Sequence, residues 1–445
     1  MKTIKIFLAS SEELEDDSKE ITEQKRQNVI KSIEEILLKC STTMADLSIS
    51  IEDRIAKTEE LYVQADAMAQ VVDYEEEKYA DLLSKYANFL AKYAKHNKAI
   101  DIFTRNLAIC EKLYGAEHPN TATSYNNIGA VYNNLGDYDK ALEYHFKALE
   151  IYEKVLGAEH PNTATSYNNI GVVYRNLGDY DKALEYYFKA LEIREKALGT
   201  EHPDIAILCD NMGSVYYNLG DYDKALEYYF KALGIFENVL GAEHPDTATS
   251  YNNIGSVYDD LGDYDKVLEY YFKALQIREK VLGAEHPDTA MSYNNIGSVY
   301  DDLGDYDKAL EYYFKDLEIS EKVLGVEHPD TATSYNNIGV VYDNLGDYDK
   351  VLEYYFKALQ IREKVLGAEH PDTAMSYNNI GGIYDRLGDY DKALEYYFKV
   401  LDIYEKVLGA EHLYTAMSYN NIADTYEAMG EAEKAAEYRA KAENN

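Results

Sequence analysis

The stretch Thr247–Asp288 reads TATSYNNIGSVYDDLGDYDKVLEYYFKALQIREKVLGAEHPD, and copies of it follow one another every 42 residues from about Thr121 to the C-terminus. The next copy, Thr289–Asp330, differs from it at only 6 of 42 positions. Each copy contains two helical patterns, and one such pair cannot bury its apolar face alone. Neighbouring copies must therefore complete one another, which predicts an all-α solenoid built by stacking.

Within this repeat, Tyr251, Ile254, Gly255 and Tyr258 recur at the i, i+3, i+4, i+7 spacing that marks one face of a helix. A second apolar row at helical spacing follows, formed by Tyr264, Val267, Leu268, Tyr271 and Leu275. The repeat is therefore predicted to consist of a first and a second helix.

Glycine, aspartate and proline mark the ends of these two helices. Gly262 is expected to stop the first helix, and the side chain of Asp263 can cap the second. Gly283 is expected to end the second helix. Pro287 suits the first turn of the next helix, where Asp288 lies near the positive end of the helix dipole.

The pattern Tyr251-x2-Ile254-Gly255-x2-Tyr258, followed by position 267 and Tyr271, resembles the tetratricopeptide repeat. The 42-residue period, with LGxEHPD between copies, is similar to the repeats of kinesin light chains. The resemblance implies a right-handed superhelical solenoid of antiparallel helix pairs, in which small residues let the two helices approach closely. It also implies a scaffold that binds proteins.

The repeat divides the chain into two predicted regions. Residues 1–78 are predicted to be a mostly helical N-terminal region, and residues 79–445 the repeat array. The array contains one degenerate repeat at 79–119, with Ala87 and Ala99 at the small-residue sites and Ala94 in place of the turn glycine. Eight repeats follow from about residue 121, and the last has the polar character of a C-terminal cap.

The N-terminal region carries two further expectations. Ile4–Leu8 could form a short strand before a helix that begins near Ser10 or Ser11. The opening KIFLASSEELEDD resembles the start of small α/β effector domains of bacterial signalling and defence proteins. A kinesin light chain would carry a heptad coiled coil here, and the irregular apolar spacing of residues 12–78 departs from that pattern.

The charge of the chain limits its partners. It has 81 acidic and 44 basic residues, which gives a net charge of −37 at pH 7. The charge is spread through the array, because Thr247–Asp288 alone carries eight acidic and four basic residues. Such a surface repels phosphate backbones and anionic membranes, so neither is expected as a partner. Neutral or basic protein segments are expected instead.

Three cysteines, far apart, fit a reducing compartment and have no metal-ligand spacing. No apolar run reaches the roughly 18 residues of a membrane helix, and the apolar core of MKTIKIFLAS is too short for a signal peptide. A cytoplasmic location is therefore expected.

Catalytic, cofactor and metal sites are not expected. The histidine of the EH motif recurs eight times, but equivalent atoms of stacked helix pairs lie on the order of 10 Å apart. That separation is too large for one metal ion with bonds of about 2 Å, so a structural role is expected for the histidines. No nucleophile constellation, phosphate loop or HExxH motif is present, and the repeated carboxylates lack a distinct partner.

Paired asparagines on the first helices are the main candidates for partner binding. The second member of the pair recurs in every repeat: Asn127, Asn169, Asn211, Asn253, Asn295, Asn337, Asn379 and Asn421. The position before it carries Asn126, Asn168, Asn252, Asn294, Asn336, Asn378 and Asn420, and Asp210 breaks the series. By resemblance to kinesin light chains, such a ladder in the concave groove can hold a peptide backbone, because an amide both donates and accepts hydrogen bonds. Alternatively, the asparagines bond between neighbouring repeats and fix their stacking.

Variable positions on the same helices are further candidates. One pair of positions is Asp259-Asp260 and Asp301-Asp302 in the central repeats. The aspartates would make the central groove acidic, unless the variation reflects only weak constraint on exposed residues. The sequence thus predicts a non-catalytic scaffold that binds protein or peptide segments in the groove. The alternative is the sensing or assembly arm of a bacterial signalling or defence protein. Neither reading indicates an oligomeric state.

Overall fold

The computed structural model of the chain describes residues 23–46, 51–72, 77–93 and 95–443. The predicted strand Ile4–Leu8, the helix start after it, the effector-like opening and the substituted turn at Ala94 all lie outside these residues. The chain divides into two compact units, Met1–Val239 and Leu240–Asn445, which we call the N-terminal and the C-terminal unit. Each is described by itself.

The described part of the N-terminal unit is built from α-helices. These are α1 Glu23–Ala45, α2 Ile51–Val72, α3 Glu77–Lys92, α4 His96–Tyr114, α5 Pro119–Asn134, α6 Tyr138–Val155, α7 Pro161–Asn176, α8 Tyr180–Leu198, α9 Pro203–Asn218 and α10 Tyr222–Val239. Consecutive helices pack as pairs, beginning with α1 and α2 and then α3 and α4. One hydrophobic core joins both of these pairs to α5, so the helices before residue 78 pack against the degenerate repeat.

The C-terminal unit repeats the same pairing. Its helices are α11 Pro245–Asp260, α12 Tyr264–Val281, α13 Pro287–Asp302, α14 Tyr306–Ile319, α15 Pro329–Leu345, α16 Tyr348–Val365, α17 Pro371–Arg386, α18 Tyr390–Val407, α19 Leu413–Ala428 and α20 Ala432–Glu443. A π-helical turn, Ser320–Leu324, follows α14 directly. The all-α solenoid of helix pairs predicted from the repeat is confirmed, and none of the described helices is both long and apolar enough to cross a membrane.

The turn between the two helices of a repeat follows the glycine and aspartate of the sequence. Gly262 has φ of 71°, a left-handed conformation that side chains other than glycine rarely adopt. Asp263 then caps α12, because its Oδ1 accepts a hydrogen bond from the backbone N–H of Lys266 at 3.4 Å. Gly283, with φ of 96°, lies just beyond the end of α12. These predicted helix boundaries are confirmed.

The small residue of the first helix permits close packing of the pair. Gly255 faces the ring of Tyr271, and a Cβ atom at Gly255 would lie 2.5 Å from Cε1 of that ring. Gly297 faces Tyr313 in the same way. Both tyrosines are buried. The glycine thus makes room for a large aromatic side chain between the helices.

The repeated histidines cap the first helices, a role that spacing alone did not identify. Nδ1 of His286 accepts a hydrogen bond from the backbone N–H of Asp288 at 3.1 Å, and Pro287 occupies the first helical turn. The same cap recurs in all eight full repeats, with the histidines His118, His160, His202, His244, His286, His328, His370 and His412. The cap satisfies one of the N–H groups that a helix leaves without an intrahelical partner.

We therefore expect His286→Ala to lower the free energy of unfolding by about 1 kcal/mol, the usual cost of a lost N-cap. His286→Asn keeps a side-chain acceptor at the cap and should retain most of this stability. Urea unfolding monitored by circular dichroism measures both variants. Equal stability of the alanine variant and the parent would contradict the capping role.

Candidate functional site

Half-exposed side chains, most of them polar, lie along one side of the first helices in each unit. We call this surface the first-helix face and define it by positions such as Met291, Asn294, Asn295, Ser298 and Asp301 on α13, together with their equivalents in the other repeats. The spacing of three or four residues places these side chains on one side of the helix. All the candidate asparagines belong to this face.

In the C-terminal unit the asparagines bond to one another across successive repeats. Asn295 Nδ2 donates to Asn252 Oδ1 at 2.9 Å, and Asn337 Nδ2 donates to Asn294 Oδ1 at 2.8 Å. The pairs Asn379–Asn336 and Asn421–Asn378 continue the series at 3.2 and 2.9 Å. The second asparagine of each repeat thus donates to the first asparagine of the repeat before it. We call this series the asparagine ladder.

The ladder is interrupted in the N-terminal unit. Asn211 Nδ2 donates to Asn168 Oδ1 at 3.0 Å, as the pattern requires. Asn126, however, is only 6% exposed, and its Nδ2 donates to Ser166 at 2.9 Å. Nδ1 of His145 lies 2.9 Å from Asn126 Oδ1. Asn126 is therefore turned into the interior and is not bonded to Asn169.

His145 accounts for this interruption. It replaces the tyrosine that packs against the helical glycine in the next six repeats, and it packs against Gly129 in the same place. Burial lowers the pKa of His145 to about 4, so the ring is neutral near pH 7. Its ring nitrogen needs a buried partner, and the side chain of Asn126 supplies one.

The aspartates of the first-helix face form an electrostatically coupled group in the C-terminal unit. Burial, followed by the charges of Asp302 and Asp260, raises the pKa of Asp259 above its ordinary value. Burial also raises the pKa of Asp301, an effect that a hydrogen bond from Asn344 opposes. The four candidate carboxylates thus repel one another on a surface that water only partly screens.

A second row of contacts between repeats lies beside the ladder. Asn344 Nδ2 donates to Asp301 Oδ1 at 3.0 Å, and Arg386 forms an ion pair with Asp343 at 2.6 Å. In the N-terminal unit, Asn176 Nδ2 donates to Asn133 Oδ1 at 3.0 Å. Arg386, one of two arginines on this face, is thereby paired within the chain, and the uncompensated negative charge lies around residues 259–302.

Apolar side chains interrupt the polar surface at one position of the first helices. Met291, Met375 and Met417 are 46%, 53% and 52% exposed, where other repeats of the C-terminal unit have threonine. Methionine is flexible and polarisable and suits surfaces that adapt to different partners.

The described residues contain no group of three or more histidine, cysteine or carboxylate side chains placed to hold a metal ion. The three thiols, Cys40, Cys110 and Cys209, are free and buried. Burial raises the pKa of the Cys40 and Cys209 thiols to about 11, which keeps both in the unreactive protonated form.

The sequence-predicted asparagines differ in the contacts that they make. Asn252, Asn294, Asn295, Asn336, Asn337, Asn379, Asn421 and Asn211 take part in the ladder. Asn127 donates to Ser84 at 3.4 Å, Asn169 accepts from Asn168 at 3.4 Å, and Asn253 is half-buried. Asn168 and Asn378, which belong to the same sequence-predicted pairs, accept ladder bonds, whereas Asn344, which bonds to Asp301, was not among the candidates. The available signal was the spacing of 43 residues, one more than the repeat, between bonded side chains.

Known proteins with similar repeats support this description of the chain. The model of one family, described as the tetratricopeptide repeat, matches residues 78–145, 121–196, 168–229, 204–280, 262–315, 316–364, 344–406 and 387–444. The structure of BtubC (BKLC) from P. vanneervenii is 23% identical over 56% of this chain and 92% of that chain, with a TM-score of 0.40. A putative kinesin light chain of Podosopora anserina with nearly identical TPR-like repeats is 25% identical over 46% of this chain and 98% of that chain, with a TM-score of 0.40.

A third structure is that of a Rap protein complexed with Competence and Sporulation Factor. It is 18% identical over 85% of this chain and 99% of that chain, with a TM-score of 0.51, which shows a shared fold. Among curated proteins, none matches the chain significantly.

Proposed function

Because the chain belongs to the tetratricopeptide repeat family, whose members are generally non-catalytic interaction scaffolds, we propose that it binds protein or peptide segments on the first-helix face. The observation that carries this proposal is the asparagine ladder of the C-terminal unit. Its amides are half-exposed and face the same side of successive repeats. The Rap protein of similar fold, which is complexed with a factor, supports a protein or peptide partner in general terms.

The ladder leaves capacity for a partner. A side-chain amide has two N–H donors and one oxygen with two lone pairs. Each ladder bond uses one N–H of Asn295 or Asn337 and one lone pair of Asn252 or Asn294. The remaining groups can pair with the N–H and C=O groups of an extended backbone, and the ladder bond holds each amide in a fixed orientation. The ladder therefore supports both alternatives raised by the sequence, stacking and binding.

We further propose that the partner segment is basic or neutral. The net charge of −37 and the repelling carboxylates at residues 259–302 favour an incoming lysine or arginine, whose charge would relieve that repulsion. The exposed methionines of the same face, Met291, Met375 and Met417, suit apolar side chains of the same segment.

The proposal is tested by selecting peptides from a random displayed library with the whole chain as bait. We expect the selected peptides to be enriched in lysine and arginine. Changing Asp259, Asp260, Asp301 and Asp302 to asparagine should lower their association rate about tenfold at low salt and flatten its salt dependence. Stopped-flow measurements at two salt concentrations give both quantities.

The matched control changes the same number of charges away from the first-helix face. Glu243, Glu285, Glu327 and Glu369 lie in the exposed connections between repeats of the C-terminal unit. Their replacement by glutamine should leave the association rate much closer to that of the parent. Equal effects of the two variants would assign the attraction to net charge alone, and no effect of either would exclude a basic segment on this face.

A further inference from the structure

One buried carboxylate interrupts the regularity of the C-terminal unit. Asp316 on α14 is only 5% exposed, and the equivalent position in the neighbouring repeats is Ala274 and Ala358. The repeats are otherwise nearly identical, so this position provides an internal comparison. A charge at such a position is costly unless an opposite charge or several hydrogen bonds compensate for it.

The surroundings of Asp316 contain hydroxyl groups. Ser334 Oγ donates to Asp316 Oδ2 at 2.6 Å, and Ser320 Oγ donates to Oδ1 at 3.3 Å. Ser320 stands where the other repeats of this unit have Arg278, Arg362 or Tyr404. Among the described residues, no lysine or arginine forms an ion pair with Asp316.

Because Ser320 replaces the arginine of the preceding repeat, the contact that this arginine makes is lost. Arg278 donates to Ser292 at 2.7 Å, and Ser292 is the repeat equivalent of Ser334. In the repeat of Asp316, the serine that would accept from a guanidinium therefore donates to a carboxylate. The repeat has thus both gained a buried acid and lost the cation that could have neutralised it.

The other titratable groups near Asp316 add no positive charge. Asp330, near the start of α15, raises the pKa of Asp316, and Tyr313 lies one turn earlier on α14. The π-helical turn supplies the neutral Ser320. Burial is the largest cause of the shift and, despite the two serines, raises the pKa of Asp316 to about 6.

The degenerate first repeat of the N-terminal unit contains a neutral counterpart. Asn106 occupies the equivalent position, is buried, and accepts a hydrogen bond from Ser124 at 2.8 Å. Its Nδ2 donates to the backbone oxygen of Ala80. This position of the repeat therefore accommodates a neutral side chain that both accepts and donates a hydrogen bond. Ala290 corresponds to Ala80 in the repeat of Asp316.

From this arrangement we propose that the packing of α14 and the π-helical turn against α15 responds to pH. The packing is tight when Asp316 holds a proton, and it loosens when the carboxylate is charged. The proton comes from solvent and binds a carboxylate oxygen, with the backbone oxygen of Ala290 as the matching acceptor. The π-helical turn Ser320–Leu324, absent from the other second helices described, is the segment that opens. The proposal does not depend on a partner.

The direction of the effect follows from the raised pKa. The folded chain binds the proton of Asp316 more tightly than the unfolded chain, whose aspartates titrate near 3.9. The stability that the protonated Asp316 side chain gives the folded chain is therefore complete below about pH 4 and is lost as the pH rises through about 6. Mild acid should tighten this packing, whereas neutral pH should loosen it.

Hydrogen exchange of the full chain, corrected for the intrinsic rate at each pH, tests the proposal. Between pH 4.5 and pH 7.5 the opening constant of residues 306–345 should rise roughly 20-fold in the parent relative to D316N, since the folded and unfolded pKa values differ by about two. The Asn106 site indicates that D316N can fold. The last repeat, residues 413–443, should show no such difference between the two proteins.

A second variant tests the same proposal without an asparagine at position 316. Asp316→Ala combined with Ser320→Arg restores the residues of the neighbouring repeats, and it should remove the extra pH dependence as D316N does. The same pH dependence of exchange at residues 306–345 in the parent and both variants would overturn the proposal. A rise that is equal throughout the C-terminal unit would also overturn it, because it would reflect general charge repulsion.

Discussion

Replacing Asn295, Asn337 and Asn379 with alanine is expected to weaken binding of a selected peptide by about ten- to a thousandfold. Each neutral hydrogen bond to the peptide backbone contributes roughly 0.5–1.5 kcal/mol, and three such losses add to a large change in the dissociation constant. The three side chains lie on successive first helices of one unit, so a single extended segment can reach them all. Isothermal titration calorimetry measures the change.

These substitutions also remove three bonds between repeats, so the experiment needs a control for stacking. Tyr293 and Tyr377 each donate from a first helix to a glutamate on the second helix of the preceding repeat, and Tyr335 donates to Glu321 in the π-helical turn. Their replacement by phenylalanine removes three bonds between repeats without changing the ladder. Because these bonds involve charged acceptors, the control should lose at least as much stability.

The two triple variants then separate the two roles of the ladder. Weak binding by the asparagine variant alone assigns the amides to the peptide. Equal weakening in both would mean that stacking, and not direct contact, supports binding. Full affinity in the asparagine variant, with matched helicity, would place the binding site elsewhere on the chain.

Gly297→Leu is expected to destabilise the C-terminal unit by about 3 kcal/mol, near the upper end of the usual cost of overpacking. A Cβ atom at this position would already lie 2.9 Å from Cδ1 and Cε1 of the Tyr313 ring, and leucine adds three further carbons. Tyr313 is buried, so its ring has little room to move. Because repeats couple only to their neighbours, hydrogen exchange should accelerate first around residues 287–345.

Gly234→Leu is the matched control, because it makes the same substitution at a helical glycine with open space around it. Apart from its chain neighbours and the backbone of its own helix turns, no atom lies within 4 Å of a Cβ atom built at Gly234. This variant should be stabilised by about 0.5–1 kcal/mol, since leucine has the higher helix propensity. A similar loss in both variants, or uniform acceleration along the whole C-terminal unit for Gly297→Leu, would contradict the packing argument.

Much of the fold was predictable because its causes are local. The positive φ of Gly262, the cap formed by Asp263 and the proline in the first turn depend on residues a few positions apart. Because nearly the same 42 residues recur, the helix boundaries and packing of one repeat predict those of the others. Helix positions and family were therefore evident from the amino-acid order.

The candidate site was only partly predictable, because its contacts join residues about one repeat apart. The sequence indicated which positions carry asparagine, but whether those amides face a partner or each other depends on how adjacent first helices stack. The bond from Asn337 to Asn294 is a product of that stacking. So is the interruption at Asn126, where a single histidine under Gly129 turns an otherwise equivalent amide inward.

Asp316 shows the same division most clearly. Comparison of the repeats shows Asp316 in place of Ala274 and Ser320 in place of Arg278, but it does not show what these side chains contact. Its burial and its hydrogen bonds from Ser334 and Ser320 result from the packing of α14 and the π-helical turn against α15. The residues within a few positions of one another determine the helices and their caps. The packing of residues that are distant in the sequence excludes solvent, and this determines which side chains carry charge, bond to one another or stay accessible to a partner.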